Sequence, residues 1–146
     1  MQTDALDSGT HLDEQRQAHL RRRLTHNLMA WLTTVDPRGR PHSVPVWFLV
    51  LSDEQILVYS RSGKQKLDNL AANPWVSLTL DVTDIGRDVV RIEGQARLDP
   101  SQPAADQNVE YCAKYAERIG ALFDTPADFA QQFNVPLVIT PRRVFA

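Results

Sequence analysis

The chain has 146 residues, a length that fits one domain, and it is 42% hydrophobic and 23% charged, as ordinary globular proteins are. Its formal net charge of −2 argues against a nucleic-acid partner held by bulk positive charge, so any anion site must be local. No apolar run approaches the roughly 20 residues that span a bilayer, so no membrane partner is expected.

The N-terminal part of the chain predicts a tail and then a helix. Residues 1–10 are polar, acidic and contain glycine, so we predict a flexible tail there and a single domain over 11–146. The next residues place a narrow apolar stripe at a spacing of four, which is typical of a helix. The start of the chain lacks the apolar segment of a signal peptide and Cys112 is the only cysteine, so a reducing cytoplasm is the simplest compartment.

Three strands are predicted after this helix. MAWLTTV (29–35) leads into the turn DPRG (36–39), in which Pro37 presets φ and Gly39 is free to adopt a positive φ. SVPVWFLVL (43–51) is apolar on both faces, which predicts one continuous strand covered by protein on two sides. ILVYS (56–60) is the third strand.

The second half alternates between short helices and strands. Leu67, Leu70 and Ala71 space the apolar face of a helix that should start near Ser62 or Gly63. Strands are predicted at 75–82 and 89–98, helices at 109–123 and 125–133, and a last strand at 135–146 that is interrupted at its internal proline, 141. The hairpins are short and the strands do not alternate regularly with helices as they do in βαβ units. This pattern predicts an antiparallel barrel of six strands with flanking helices.

The start of the short helix carries an unusual group of cations. A helix N-terminus is positively polarised and prefers acidic residues, yet Arg61, Lys64 and Lys66 surround this one. With the hydroxyl of Ser60 nearby and Gly63 allowing close backbone approach, the segment favours a phosphate site. The alternative is a solvated, salt-screened helix start with no ligand.

Catalytic signatures are missing from the sequence. It contains no G-x-S-x-G, H-E-x-x-H or G-x-G-x-x-G pattern, no Cys/His metal spacing, and no histidine after His42. Cys112 falls on the apolar stripe of the helix predicted at 109–123 and is interpreted as an inert core thiol. The residues of this stripe are Val109, Cys112, Ala113, Ala116, Ile119 and Phe123. We therefore expect no catalytic side chain and no metal, and we expect a cofactor to carry the chemistry. Trp47 and Phe48 either wall a flat ligand or belong to the core.

Several motifs together resemble one known family. DPRGRPHSVPVWF, ILVYS, K-L-x-N-L-x-x-N-P and RIEGQARL occur here in the order found in the pyridoxamine 5′-phosphate oxidase-like split-barrel superfamily. The P-V-W-F stretch is most similar to the branch that uses the deazaflavin coenzyme F-420. The resemblance implies a mainly β, antiparallel, FMN-binding type of split barrel, which usually forms a homodimer with cofactors at the subunit interface.

The resemblance also implies site residues and functions. Lys66 would contact the cofactor phosphate, with Ser60, Arg61 and Lys64 as helpers, and the ring would be bordered by the residues of P-V-W-F: Pro45, Val46, Trp47 and Phe48. The implied activity is hydride transfer from reduced F-420 to a small organic acceptor. The alternatives are an FMN-dependent oxidase or reductase and a non-enzymatic flavin- or haem-binding protein. The family's C-terminal Arg/His substrate motif is absent, which argues against a vitamin B6 substrate.

Overall fold

A computed structural model describes residues 12–82 and 85–146, so the tail predicted over 1–10 lies outside the described residues. The helices are α1 (Glu14–His26), α2 (Gln65–Ala72), α3 (Val109–Leu122) and α4 (Pro126–Gln132). The strands are β1 (Ala30–Val35), β2 (Pro41–Val46), β3 (Leu49–Val50), β4 (Ile56–Ser60), β5 (Trp75–Leu80), β6 (Arg91–Leu98) and β7 (Val135–Phe145). None of the helices in these ranges is long and apolar enough to cross a membrane.

All seven described strands belong to one antiparallel sheet. Their order is β2-β1-β5-β6-β7-β4-β3, so the last strand in the sequence lies between β6 and β4. The sheet curls around a core capped by α1 and α2, while α3 and α4 flank its other side. This arrangement confirms the predicted antiparallel split barrel with flanking helices, but the predicted count of six strands is wrong.

The extra strand comes from a break in the segment predicted as one strand over 43–51. β2 ends at Val46, β3 begins at Leu49, and the two lie at opposite edges of the sheet. Trp47 packs among the aromatic residues of α3 and α4, whereas Phe48 is fully buried in the barrel core. The apolar pattern on both faces therefore reflects a chain that crosses between two cores, not a strand covered on two sides.

The two cores differ in composition. The barrel core is aliphatic apart from Phe48 and includes Leu20 and Leu24 of α1. The second core contains Tyr111, Tyr115 and Ile119 of α3. This α3 face differs from the predicted stripe, because Val109 is 82% exposed and Cys112 is only part-buried. The two tyrosines bury more surface than the small residues on which the prediction relied.

A bulge bends the sheet where β6 meets β7. The register shifts between Glu93 and Gly94, which pair with Arg143 and Pro141, so Arg142 is the extra residue. The predicted interruption at Pro141 is thus a bulge within a continuous strand, a position where a ladder N–H is not required.

Candidate functional site

A groove of about 830 Å³ lies where two parts of the chain face α3 and α4. These are the end of β4 and the Trp47–Phe48 crossover, the two-residue link between β2 and β3. Seven of the eight residues predicted from the sequence line it: Pro45, Val46, Trp47, Ser60, Arg61, Lys64 and Lys66. Phe48 does not, because its side chain points into the barrel core and is 0% exposed. The groove thus brings together residues from the end of β2 and from the end of β4, which are distant in the sheet order.

One end of the groove is cationic. Lys66 is part-buried, and no hydrogen bond or ion pair to it occurs among residues 12–82 and 85–146. Burial, and secondarily the charge of Lys64, lowers the pKa of Lys66. The described lining residues include no carboxylate. The described residues thus leave these cations unbalanced, and an anion there would relieve the repulsion and offset the cost of desolvation.

The chain reaches this end differently from the prediction. α2 begins at Gln65 with Lys64 as its N-cap, two residues later than expected, because Gly63 adopts a φ of 71° and forms a turn first. Lys64 makes no side-chain capping bond, so backbone N–H groups of the first helical turn are left without a side-chain partner. Lys66 is therefore the one cation inside the helix, while Arg61 and Lys64 precede it.

Two of the predicted helpers have partners already. Ser60 is 2% exposed and its hydroxyl donates to the carbonyl oxygen of Arg61 at 2.9 Å. The Arg61 guanidinium lies 4.8 Å from the centre of the Phe133 ring, where a cation–π contact holds it at the groove. Lys66 and Lys64 are therefore the more available cations for a ligand.

A second part of the groove lining is aromatic, and of its residues only Trp47 was predicted. Trp47 stacks on Tyr115 with ring centres 4.7 Å apart and on Phe129 at 5.5 Å, and Phe129 stacks on Phe133 at 4.7 Å. The lining residues that sequence analysis missed are Met29, Val44, Tyr59, Tyr111, Leu122, Phe123, Phe129, Gln132 and Phe133. The spacing of four between Phe129 and Phe133 signals an aromatic helix face, but not what that face contacts.

The groove's chemistry suits an anion attached to a flat ring. The described lining has no histidine, cysteine or carboxylate, and no group of three or more metal-ligating side chains occurs in the described ranges. Burial raises the pKa of Tyr59 and of Tyr111, so both phenols stay protonated. A second cavity of about 460 Å³ beside α1 differs, because its Arg23 is already paired with Asp88 at 3.0 Å.

Comparisons with known proteins agree with this geometry. A family model described as pyridoxamine 5′-phosphate oxidase matches residues 17–146. Over 90 residues the chain is 34% identical to a pyridoxine/pyridoxamine 5′-phosphate oxidase of Bacteroides thetaiotaomicron, covering 60% of this chain and 40% of that protein's length.

Two solved structures are each 25% identical to the chain. One is a conserved hypothetical protein from Mycobacterium tuberculosis, with a TM-score of 0.69, 94% of this chain covered and 85% of the other. The other is an F420 reductase, with a TM-score of 0.65 and coverage of 85% and 94%.

Proposed function

The chain belongs to the pyridoxamine 5′-phosphate oxidase family, and on that premise we propose that it is an oxidoreductase whose groove binds a phosphate-bearing deazaflavin or flavin. Coenzyme F-420 is the first candidate and FMN the second. The observation that carries the proposal is Lys66, a part-buried cation that no described residue neutralises, placed in a groove that is partly lined by aromatic residues. Such a cation favours a ligand that brings its own negative charge.

Different residues of the groove would bind different parts of the ligand. Lys66, with Lys64 and Arg61, would hold the phosphate, while Pro45, Val46 and Trp47 border the ring. When bound, the deazaflavin supplies the hydride that passes to a small organic acceptor. The protein's own part is to bind, orient and exclude water, because the described lining offers no catalytic acid–base pair.

Two observations favour F-420 over FMN. The F420 reductase is similar to this chain at 25% identity over nearly its whole length. The groove also has three cations and no carboxylate among its described lining residues, which suits a cofactor with more negative charge than one phosphate carries. FMN remains the alternative because its phosphate and ring have the same basic chemistry. The single cysteine favours a reducing compartment, so we propose the cytoplasm.

We also propose that the protein is a homodimer with the groove at the interface. The segment 43–51, predicted as one strand apolar on both faces, is broken into β2 and β3, so it gives no argument for a second subunit. A different feature supports the dimer: Trp31 is 42% and Trp75 48% exposed on one face of the sheet. Trp31 pairs with Pro45, which lines the groove, so the sheet face that carries the two exposed tryptophans continues into the site.

Three spectroscopic measurements test which cofactor the protein binds. Quenching and a shift of F-420 fluorescence on adding the protein would support the first candidate, and a flavin spectrum retained by the purified protein would support FMN. A Soret band on adding haem, without binding of either other ligand, would contradict the oxidoreductase and favour a haem-binding protein.

Replacing Lys66 by alanine tests the site itself. A charge-assisted phosphate contact contributes roughly 1.5–3 kcal/mol, so the dissociation constant should rise about ten- to a hundredfold. Stability should hold or increase, because the variant removes a desolvated cation near the positive end of α2. The effect should diminish as salt is added.

The matched control is Arg22→Ala, which removes one positive charge from an exposed position on α1. It should leave binding unchanged at every salt concentration. If Lys66→Ala binds F-420 and FMN as tightly as the parent at low salt, the cations are only a solvated helix start.

A further inference from the structure

The crossover between β2 and β3 leaves the backbone of Phe48 without a strand neighbour. Its N–H and carbonyl lie in the two-residue gap between strands at opposite edges of the sheet, and the residue is 0% exposed. A buried peptide group without a partner is costly, so side chains must satisfy it. Two consecutive residues of α3 do so.

Tyr115 and Lys114 are those residues. The Tyr115 hydroxyl accepts from the Phe48 N–H at 2.8 Å and lies 2.8 Å from the Leu28 carbonyl oxygen, to which its proton can be donated. The Lys114 ammonium donates to the Phe48 carbonyl oxygen at 2.8 Å and lies 3.9 Å from the centre of the Phe48 ring. One turn of α3 thus fixes both polar groups of the crossover.

The same tyrosine also supports the neighbouring side chain. The Trp47 and Tyr115 rings are almost parallel, with an angle of 4° and ring centres 4.7 Å apart. Tyr115 is 0% exposed and Trp47 lines the groove, so the buried ring is a platform for the lining one. The hydroxyl fixes the backbone and the ring fixes the side chain, which leaves Trp47 little freedom to rotate.

We infer that Tyr115 is a positioning residue: with Lys114, it holds the Trp47–Phe48 crossover and sets the wall against which the cofactor ring lies. The ring's identity rests on the proposed function, whereas the positioning of Trp47 does not. Tyr115 itself is absent from the groove lining, so it acts through Trp47 and not by touching the ligand.

The test uses the fluorescence of Trp47 to report how firmly this side chain is held. The chain has three tryptophans, so Trp31→Phe and Trp75→Phe together leave Trp47 as the only one. In this background, Tyr115→Phe keeps the stacked ring and removes the hydroxyl, and Lys114→Met keeps an apolar stem and removes the ammonium. Ile92→Val, fully buried in β6, is the control for a general loss of stability.

Each variant is measured in three ways: the thermal midpoint, acrylamide quenching of Trp47 without ligand, and dissociation constants for F-420 and FMN. We expect Tyr115→Phe to unfold cooperatively, to make Trp47 more accessible to acrylamide and to weaken binding about tenfold. Lys114→Met should do the same to a smaller extent, and Ile92→Val should lower only the midpoint.

Unchanged quenching of Trp47 in Tyr115→Phe overturns the positioning role, whatever the ligand. Increased quenching with no binding of F-420 or FMN even by the parent supports the positioning role and contradicts the proposed function instead.

Discussion

Two lysines of this protein keep a positive charge that is partly removed from water. Burial lowers the pKa of Lys114 to about 8, and burial with the nearby Lys64 lowers that of Lys66. Their surroundings differ, since Lys114 donates to the Leu24 and Phe48 carbonyl oxygens whereas Lys66 faces the groove. The first lysine thus has a structural partner, and the second is suited to a ligand.

Lys114 should make stability depend on alkaline pH. Its pKa is lower in the folded protein than its ordinary value of 10.5, so between about pH 8 and 10.5 the unfolded chain binds the extra proton. The free energy of unfolding should therefore rise with pH through this range, and the penalty for charging Lys114 is fully present below it.

The measurement is the difference between the parent and Lys114→Met in urea unfolding, taken on both sides of pH 8. Taking the difference cancels the contribution of other groups whose pKa is shifted by folding, such as Lys66. A difference that stays constant across this range would contradict the lowered pKa.

At the scale of elements, the pairing of β6 with β7 depends on one glycine. A Cβ at Gly94 would overlap the Thr140 carbonyl oxygen and lie 3.0 Å from the Thr140 carbonyl carbon and 3.1 Å from the Pro141 Cα. All three are backbone atoms, so room can be made only by separating the strands. Gly94→Ala should therefore lower the free energy of unfolding by at least about 2 kcal/mol.

Gly120→Ala is the matched control, because it adds the same methyl group to α3 with nothing within 4 Å. It should stabilise the protein by about 0.5–1 kcal/mol. Chemical unfolding of both variants measures the contrast, and equal midpoints would show that the β6–β7 spacing is not tight.

The sequence predicted where helices and strands occur better than it predicted which of them pack together. Local signals located the four α-helices and most strands of the described residues, because capping residues such as Thr125 and alternation such as that of β6 act within a few positions. The break at Trp47–Phe48 could not be found this way, since residues apolar on both faces look the same in a covered strand and in a crossover. The choice depends on α3, more than sixty residues away in the chain.

The candidate site shows the same division. Its cationic end is formed by one short segment, so the cluster of Arg61, Lys64 and Lys66 could be predicted from residues that are close together in the sequence. Its aromatic wall comes from α3 and α4, which meet the groove only through tertiary packing. The lining contributed by residues 45–47 and 60–66 was therefore predicted, and the lining contributed by α3 and α4 was not.

At the scale of the whole molecule, the proposed dimer predicts the effect of one exposed residue. Trp31→Glu places a charge on the face that also carries Trp75, so it should give a monomer and weaken cofactor binding. Val109→Ser, which removes an 82% exposed apolar side chain from α3, is the control and should remain dimeric. Sedimentation velocity measures the oligomeric state of the parent and of both variants. A parent protein that is monomeric at micromolar concentration would rule out the interface.

The position of β7 has a consequence for the nascent chain. It is the last of the seven described strands to be synthesised, yet it alone joins β6 to β4 in the sheet. Until β7 has emerged from the ribosome, the piece formed by β2, β1, β5 and β6 and the β3–β4 hairpin each present an unpaired edge, which is a template for association with other chains. We therefore expect stalled nascent chains that lack β7 to remain sensitive to protease and to bind chaperones, and resistance to appear only once residues 135–145 have emerged.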